Sequence, residues 1–285
     1  MRCLGNDIRL QVNNITISYS DEGPEEAPVV IFIHGFPFNK SMWRTQAEAL
    51  KENYRVIAYD VRGHGNSDAG HEDFSIDLFT NDLISFMDKL QLNKVILCGL
   101  SMGGYIALNA VEKHPHSIDA LILCDTQCAA DTPEGKEKRR KVIESIRKNG
   151  VEQYAGESIK HLFAPESLTT KEKEVAVIRE MILNTSSQTL CNTLLALSER
   201  KETCKKLFAI EIPVLLLVGK EDKITPPAAA QFMHENIPGS ALSIIEHAGH
   251  VSNLENPAEF NLQLENFLSR IEKTIGTPER SFLRF

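Results

Sequence analysis

The stretch Gly99-Leu100-Ser101-Met102-Gly103 decides how this chain is read. It follows the apolar run Val95-Ile96-Leu97-Cys98, which suits a buried strand, and precedes Tyr105-Ile106-Ala107-Leu108, which suits a helix. To leave a strand and enter a helix with almost no intervening chain, the backbone must turn sharply and hold the serine in a strained conformation. Glycines at 99 and 103 allow that turn. It thrusts the Ser101 hydroxyl outward as a candidate nucleophile. Five residues make a short pattern, so the flanking strand and helix give it its weight.

A serine hydroxyl is a weak nucleophile at neutral pH. It needs a histidine to take its proton and a carboxylate to orient that histidine. Of the nine histidines, His250 is best placed: it follows Gly249 beyond the strand-like run 242–245 and precedes a helical pattern over 257–271. Asp222 lies just past the apolar run 213–218, which reads as a buried parallel strand. Ser101, Asp222 and His250 thus all fall beyond the carboxyl ends of strands, where an open parallel sheet builds its site.

Further motifs extend the pattern. His34-Gly35-Phe36-Pro37 follows the strand-like 29–33, and Asp60-Val61-Arg62-Gly63-His64-Gly65-Asn66-Ser67 follows another strand pattern. With the 99–103 turn, the Gly219-Lys220-Glu221-Asp222 loop and Gly249-His250, five motifs stand in order, and the chain resembles the α/β-hydrolase superfamily. The resemblance implies an α/β fold with a mostly parallel central sheet, helices on both faces and an inserted helical cap. It also implies a Ser101-His250-Asp222 triad, with an oxyanion hole formed by the backbone amides of Phe36 and Met102. A serine at 101 sets the chain apart from the relatives that use an aspartate there, the haloalkane dehalogenases and epoxide hydrolases.

Rival readings attach to several residues. Asp125, after the strand-like 120–124, ends the preceding strand and is the alternative acid, since some hydrolases of this fold take their carboxylate from there. His247 and His34 compete with His250; His34 belongs to the first loop and His247 is expected at the strand end. His64, between two turn glycines, reads as structural. The Gly63-x-Gly65 pair lacks the further glycine and helix start of a phosphate cradle, and no paired Cys-x-x-Cys or His-Glu-x-x-His spacing occurs. The expectation is chemistry with no cofactor and no metal.

A formal net charge of −8 without a basic stripe argues against nucleic acid or an anionic membrane as partner, and points to a small-molecule substrate. The run Lys136-Glu137-Lys138-Arg139-Arg140-Lys141 reads as a solvated helix face, because Val142, Ile143 and Ile146 supply a buried stripe. Six cysteines are too sparse for a disulfide scaffold, and Cys98 and Cys124 sit inside strand-like runs, which suggests a reducing compartment. The amino terminus shows no apolar signal region, and no run approaches the ~20 apolar residues of a membrane helix. A cytoplasmic location is expected.

Along the chain, 8–12 and 15–19 flank Asn13-Asn14 as a hairpin at the sheet edge. Strands at 29–33 and 55–59 then alternate with helices at 41–50 and 76–90. Residues 126–209 contain helical patterns over 133–149, 151–163, 170–183 and 187–199 but no strand. They read as a cap inserted in a core of residues 1–125 and 210–285. The tail 276–285 ends on the apolar Phe282, Leu283 and Phe285. The expected function is hydrolysis of carboxylic esters of small or medium uncharged substrates. Carbon–carbon (diketone) hydrolase, enol-lactonase and cofactor-free perhydrolase are alternatives on the same triad, and a small-molecule receptor or interaction protein on the same scaffold is the alternative from outside enzymology.

Overall fold

The computed structural model describes residues 4–275; the apolar tail beyond them lies outside the described residues. Eight strands form one sheet: β1 (Leu4–Val12), β2 (Ile15–Glu22), β3 (Val29–Ile33), β4 (Arg55–Tyr59), β5 (Val95–Leu100), β6 (Ile118–Cys124), β7 (Val214–Gly219) and β8 (Ala241–Ile245), in spatial order β1-β2-β4-β3-β5-β6-β7-β8. The β1–β2 hairpin is antiparallel, β2 pairs antiparallel with β4, and every other pairing is parallel. The expected edge hairpin is present. Asn13 and Asn14 both have positive φ, 45° and 62°, as the tight turn whose twist matches the strands requires.

The strands alternate their side chains between two cores, as a period of two dictates. On one face Ile31, Ile33, Leu97, Leu121 and Leu216 pack against α2 (Ile76–Lys89), α3 (Met102–Lys113) and α9 (Pro227–Asn236). On the other, Val30, Phe32, Ile96, Ile122 and Leu217 pack against α1 (Arg44–Leu50) and α11 (Pro257–Ile275). Helix starts follow local capping: Ser75 accepts from Leu78 N at the head of α2.

β6 and β7 are hydrogen-bonded neighbours, yet the chain between them runs through α4 (Pro133–Asn149), α5 (Val151–Leu162), α6 (Ser167–Thr170), α7 (Glu172–Leu183) and α8 (Ser187–Ser198). The pattern expected over 170–183 is interrupted at Lys171, whose non-helical φ/ψ of −119°/45° separates a single turn from the main helix. Ile178, Met181 and Ile182 join the core that contains Trp43 and Phe260. Leu190 and Leu194 gather instead with Ile143, Ile146 and Cys191, against which Phe36 and Tyr154 pack. The basic run on α4 forms surface ion pairs, Lys136 with Glu199 and Arg140 with Glu137 and Glu144, in keeping with a solvated face.

The base of this insertion corrects one expectation. Although six cysteines are too sparse for a disulfide scaffold, Cys128 and Cys204 are joined in a disulfide, because the fold returns the two ends of the insertion to a Cα–Cα distance of 4.9 Å, within reach of such a bond. The inference of a reducing compartment, which rested on unpaired cysteines, loses that support. Arg200 reinforces the same junction: its guanidinium donates to Asp131 Oδ1 (2.6 Å), Leu197 O (2.7 Å) and Ala129 O (2.9 Å) and lies 4.4 Å from the centroid of the Tyr105 ring on α3. No described helix is long and apolar enough to cross a membrane.

A disulfide with a sequence separation of 76 residues restricts the unfolded chain strongly. Reducing it, or replacing both cysteines by alanine, is expected to lower the unfolding free energy by about 2–4 kcal/mol. The denaturant midpoint measured with and without reductant checks this. An unchanged midpoint would show that the pairing does not form.

Candidate active site

Ser101 sits between β5 and α3 with φ 53° and ψ −110°, a region that residues with side chains seldom occupy. The surroundings over-determine that conformation. A Cβ on Gly99 would overlap the carbonyl of Gly103, and one on Gly103 would overlap the carbonyl of Ile33, so the first turn of α3 lies hard against the ends of β3 and β5. Ser101 N donates to Cys124 O at 2.9 Å, and Thr126 Oγ1 donates to Ser101 O at 2.8 Å, which ties the turn to the end of β6 as well.

His250 and Asp222 are brought to this serine. Ser101 Oγ and His250 Nε2 are 2.9 Å apart, and His250 Nδ1 and Asp222 Oδ2 are 2.8 Å apart. This arrangement lets the hydroxyl donate to Nε2 while Nδ1–H donates to the carboxylate. The loop after β7 holds Asp222 by a local turn: Oδ1 accepts from Ile224 N (2.8 Å) and Thr225 N (3.0 Å), and Thr225 Oγ1 donates to Oδ2 (2.8 Å). Asp-x-x-Thr is a readable turn signature, and it is the signal by which Thr225 could have been found from sequence.

The histidine loop is held from two sides. His250 N donates to Leu162 O at the end of α5 (2.7 Å). The buried Glu255, in the short helix α10 (Ser252–Glu255), accepts from Gly249 N and from Ala164 N of the insertion, both at 2.8 Å. No sequence pattern marks Glu255, whose role depends on this tertiary contact. Burial pushes its pKa up.

Electrostatics divide the site. Burial opposes the charged form of His250, but the negative charge and hydrogen bond of Asp222, with lesser contributions from Asp125 and Glu255, outweigh it and raise the imidazole pKa above 6.5. For Asp222 burial pushes up, while the charge of His250 and the hydrogen bonds from His250 and Thr225 prevail and hold the carboxyl below its ordinary value. Each partner favours the ionised form of the other.

The rival residues fall elsewhere. Asp125, at the end of β6, bonds Gly219 N (2.8 Å) and Ser252 Oγ (2.5 Å), not the imidazole. His247 lies in the turn beyond β8, with its side chain 79 % exposed. His34 is buried, donating from Nδ1 to Gly35 O (2.8 Å) and accepting at Nε2 from Val61 N (2.9 Å). Those two bonds need a neutral ring, and burial pushes its pKa down to about 4. His64 is also buried, with its pKa pushed down to about 3, first by burial and then by His34. His34 therefore joins the 34–38 loop to the 60–67 turn, as a structural residue would. Met102 opens α3, where an amide has no intrahelical acceptor, and Phe36 lies on the neighbouring loop after β3. Among the described residues, no group of three or more His, Cys, Asp and Glu could hold a metal ion.

Comparison with known proteins follows this geometry. A family model described as the alpha/beta hydrolase fold matches residues 28–257. The 3-oxoadipate enol-lactonase 2 of Acinetobacter baylyi is 29% identical over 261 residues, covering 92% of this chain and 96% of that protein. A thermophilic esterase from Thermogutta terrifontis superposes with a TM-score of 0.88 at 32% identity, covering 94% of this chain and 99% of that one. The enol-lactonase from Burkholderia xenovorans superposes with a TM-score of 0.86 at 26% identity, over 92% of this chain and 100% of that one. The chain belongs to the α/β-hydrolase family and is an enzyme of the hydrolase class.

Proposed function

We propose that this protein is a serine hydrolase acting on carboxylic esters of small or medium uncharged substrates. The observation that carries the reading is the continuous hydrogen-bond chain from Ser101 Oγ through His250 to Asp222. In the reaction, His250 Nε2 takes the Ser101 proton as Oγ attacks the ester carbonyl carbon. The carbonyl oxygen becomes an oxyanion facing the amides of Phe36 and Met102. Asp222 holds the imidazole tautomer and stabilises the imidazolium. His250 then gives its proton to the leaving alkoxide, an alcohol departs, and the acyl group remains on Ser101. Water, deprotonated by His250, attacks this acyl-enzyme and releases the acid. Each step needs only side chains, backbone amides and water.

The helices at 126–209 act in this reading as a cap over the core of residues 1–125 and 210–285. Ile143, Ile146, Leu190 and Leu194 form an apolar roof beside Phe36, which favours uncharged acyl or alkoxyl groups and excludes water. The relatives that are enol-lactonases favour a second reading, in which the scissile ester is cyclic. The same acyl transfer then leaves the alcohol tethered to the acyl group.

A fluorophosphonate probe is expected to label the protein at Ser101, and Ser101→Ala should abolish both labelling and esterase turnover while leaving the circular dichroism unchanged. Labelling of another serine, or turnover by the alanine variant, would sink the mechanism. Asp222→Asn should lower kcat by about 10⁴-fold, the scale of loss when a triad aspartate loses its charge, with Asp125→Asn much milder. The opposite ranking would move the acid to Asp125.

On a panel of p-nitrophenyl esters and simple lactones, turnover should be greatest for acetate and butyrate among the acyclic esters and fall steeply beyond medium chain length. Turnover of lactones alone would select the cyclic reading, and ligand binding with no turnover would select the receptor. kcat/KM should rise with pH, since only neutral imidazole accepts the serine proton. Because Asp222 favours the protonated ring, the midpoint belongs above 6.5. A midpoint well below that value would contradict the pairing.

A further inference from the structure

The carbonyl end of β6 is where the three segments that carry Ser101, Asp222 and His250 meet. Cys124 O accepts from Ser101 N (2.9 Å), Asp125 N donates to Leu217 O of β7 (2.8 Å), and Thr126 Oγ1 donates to Ser101 O (2.8 Å). Asp125 itself is fully buried and has φ 43°, a left-handed conformation for a residue with a side chain. Its Oδ1 accepts from Gly219 N at 2.8 Å, where the chain leaves β7 for Asp222. Its Oδ2 lies 2.5 Å from Ser252 Oγ, two residues beyond His250. One carboxyl therefore bridges the acid loop and the histidine loop, while the triad reading makes no use of it.

We propose that Asp125 is a positioning residue: by joining Gly219 to Ser252, its carboxyl sets the separation of the two loops and hence the alignment of His250 between Asp222 and Ser101. The proposal rests on the serine-hydrolase reading above.

The ionisable groups that act on Asp125 are Asp222 from the loop after β7, His250 from the histidine segment and Cys124 from its own strand. Burial and then the charge of Asp222 push the Asp125 pKa up to about 8, against the pull of His250 and the two hydrogen bonds. The carboxyl accepts from Gly219 N–H at Oδ1 and from the Ser252 hydroxyl at Oδ2. An asparagine keeps the bridge on the same frame, since its Oδ1 can accept from Gly219 N–H and its Nδ2–H can donate to Ser252 Oγ, a hydroxyl able to accept as well as donate. An alanine leaves Gly219 N–H and the Ser252 hydroxyl without this buried partner.

The test uses the full chain with Asp125→Asn, Asp125→Ala and Ser252→Ala, together with Ser101→Ala as the control on the underlying mechanism. kcat and KM are measured on p-nitrophenyl butyrate at pH 7, the Nδ1–H resonance of His250 is followed by proton NMR, and folding is monitored by circular dichroism. Asp125→Ala and Ser252→Ala should each lose about 10²-fold in kcat with little change in KM, as expected for a misplaced catalytic group, and should shift or broaden the His250 resonance. Asp125→Asn should recover most of kcat and the native resonance.

Folded Asp125→Ala and Ser252→Ala proteins with wild-type kcat and an unmoved resonance would overturn the proposal. So would an Asp125→Asn loss as deep as that of Asp222→Asn, which would make the charge at 125 essential. Should Asp125→Ala fail to fold, Ser252→Ala decides, since it removes one arm of the bridge and leaves the carboxyl in place. An active Ser101→Ala would instead strike down the serine mechanism itself, so the two failures are distinguishable.

Discussion

The contact of the first turn of α3 with the ends of β3 and β5 is the constraint on which the rest of the site depends. Because nothing larger than hydrogen fits at Gly99 and Gly103, the helix can start immediately after the strand, and Ser101 must take up its positive φ. That one backbone conformation aims the hydroxyl away from the sheet. It also sets Met102 at the head of the helix, whose first turn abuts the end of β3. The strain at Ser101 is held by neighbours rather than relieved, since Cys124 O and Thr126 Oγ1 clasp its amide and carbonyl. A methyl group at 103 would push the helix off β3 and release that geometry.

Around the imidazole, three buried carboxyls have been given different chemistry by their surroundings. Asp222 receives two backbone N–H groups, a threonine hydroxyl and the imidazole, and its pKa falls. Asp125 receives one backbone N–H and faces one serine hydroxyl, and its pKa rises. Glu255 lies next to the histidine loop, accepts from backbone amides of that loop and of the insertion, and has a raised pKa. The number and kind of donors, set against the cost of burial, separate an acid partner for histidine from carboxyls that join segments.

The strands were legible because their apolar runs are short, β-branched and bounded by turn residues, and the order of motifs along them fixed the fold class. Ser101, Asp222 and His250 could be picked out because each follows such a run. Their mutual distances could not, since they depend on strand order across the sheet. Helical spacing marks Ile178 and Leu190 equally as buried, yet one packs into the main core and the other beside Phe36. Periodicity reports that a face is buried and not what lies opposite. The Cys128–Cys204 bond was illegible for the same reason, because two cysteines far apart in sequence carry no sign that an insertion returns to its starting point. His247 and His250, three residues apart, were separated only by the turn that exposes the first and buries the second.

Two of the insertion's polar attachments to the core bear on selectivity. At its base the disulfide and Arg200 fasten both ends beside Tyr105. At the end of α5, Leu162 and Ala164 bond the backbone of His250 and the carboxylate of Glu255. A displacement of α5 would therefore be felt at the imidazole, whereas α4 and α8 meet Phe36 through apolar side chains alone. Apolar contacts are non-directional, so side chains there can be exchanged by volume without disturbing any hydrogen bond of the site. In the proposed reading, where these side chains line the substrate pocket, one methylene is worth about 1–3 kcal/mol of discrimination. Substrate size is therefore set, in that reading, by the volume of the α4–α8 side chains beside Phe36, while the hydrogen-bonded frame around His250 stays the same.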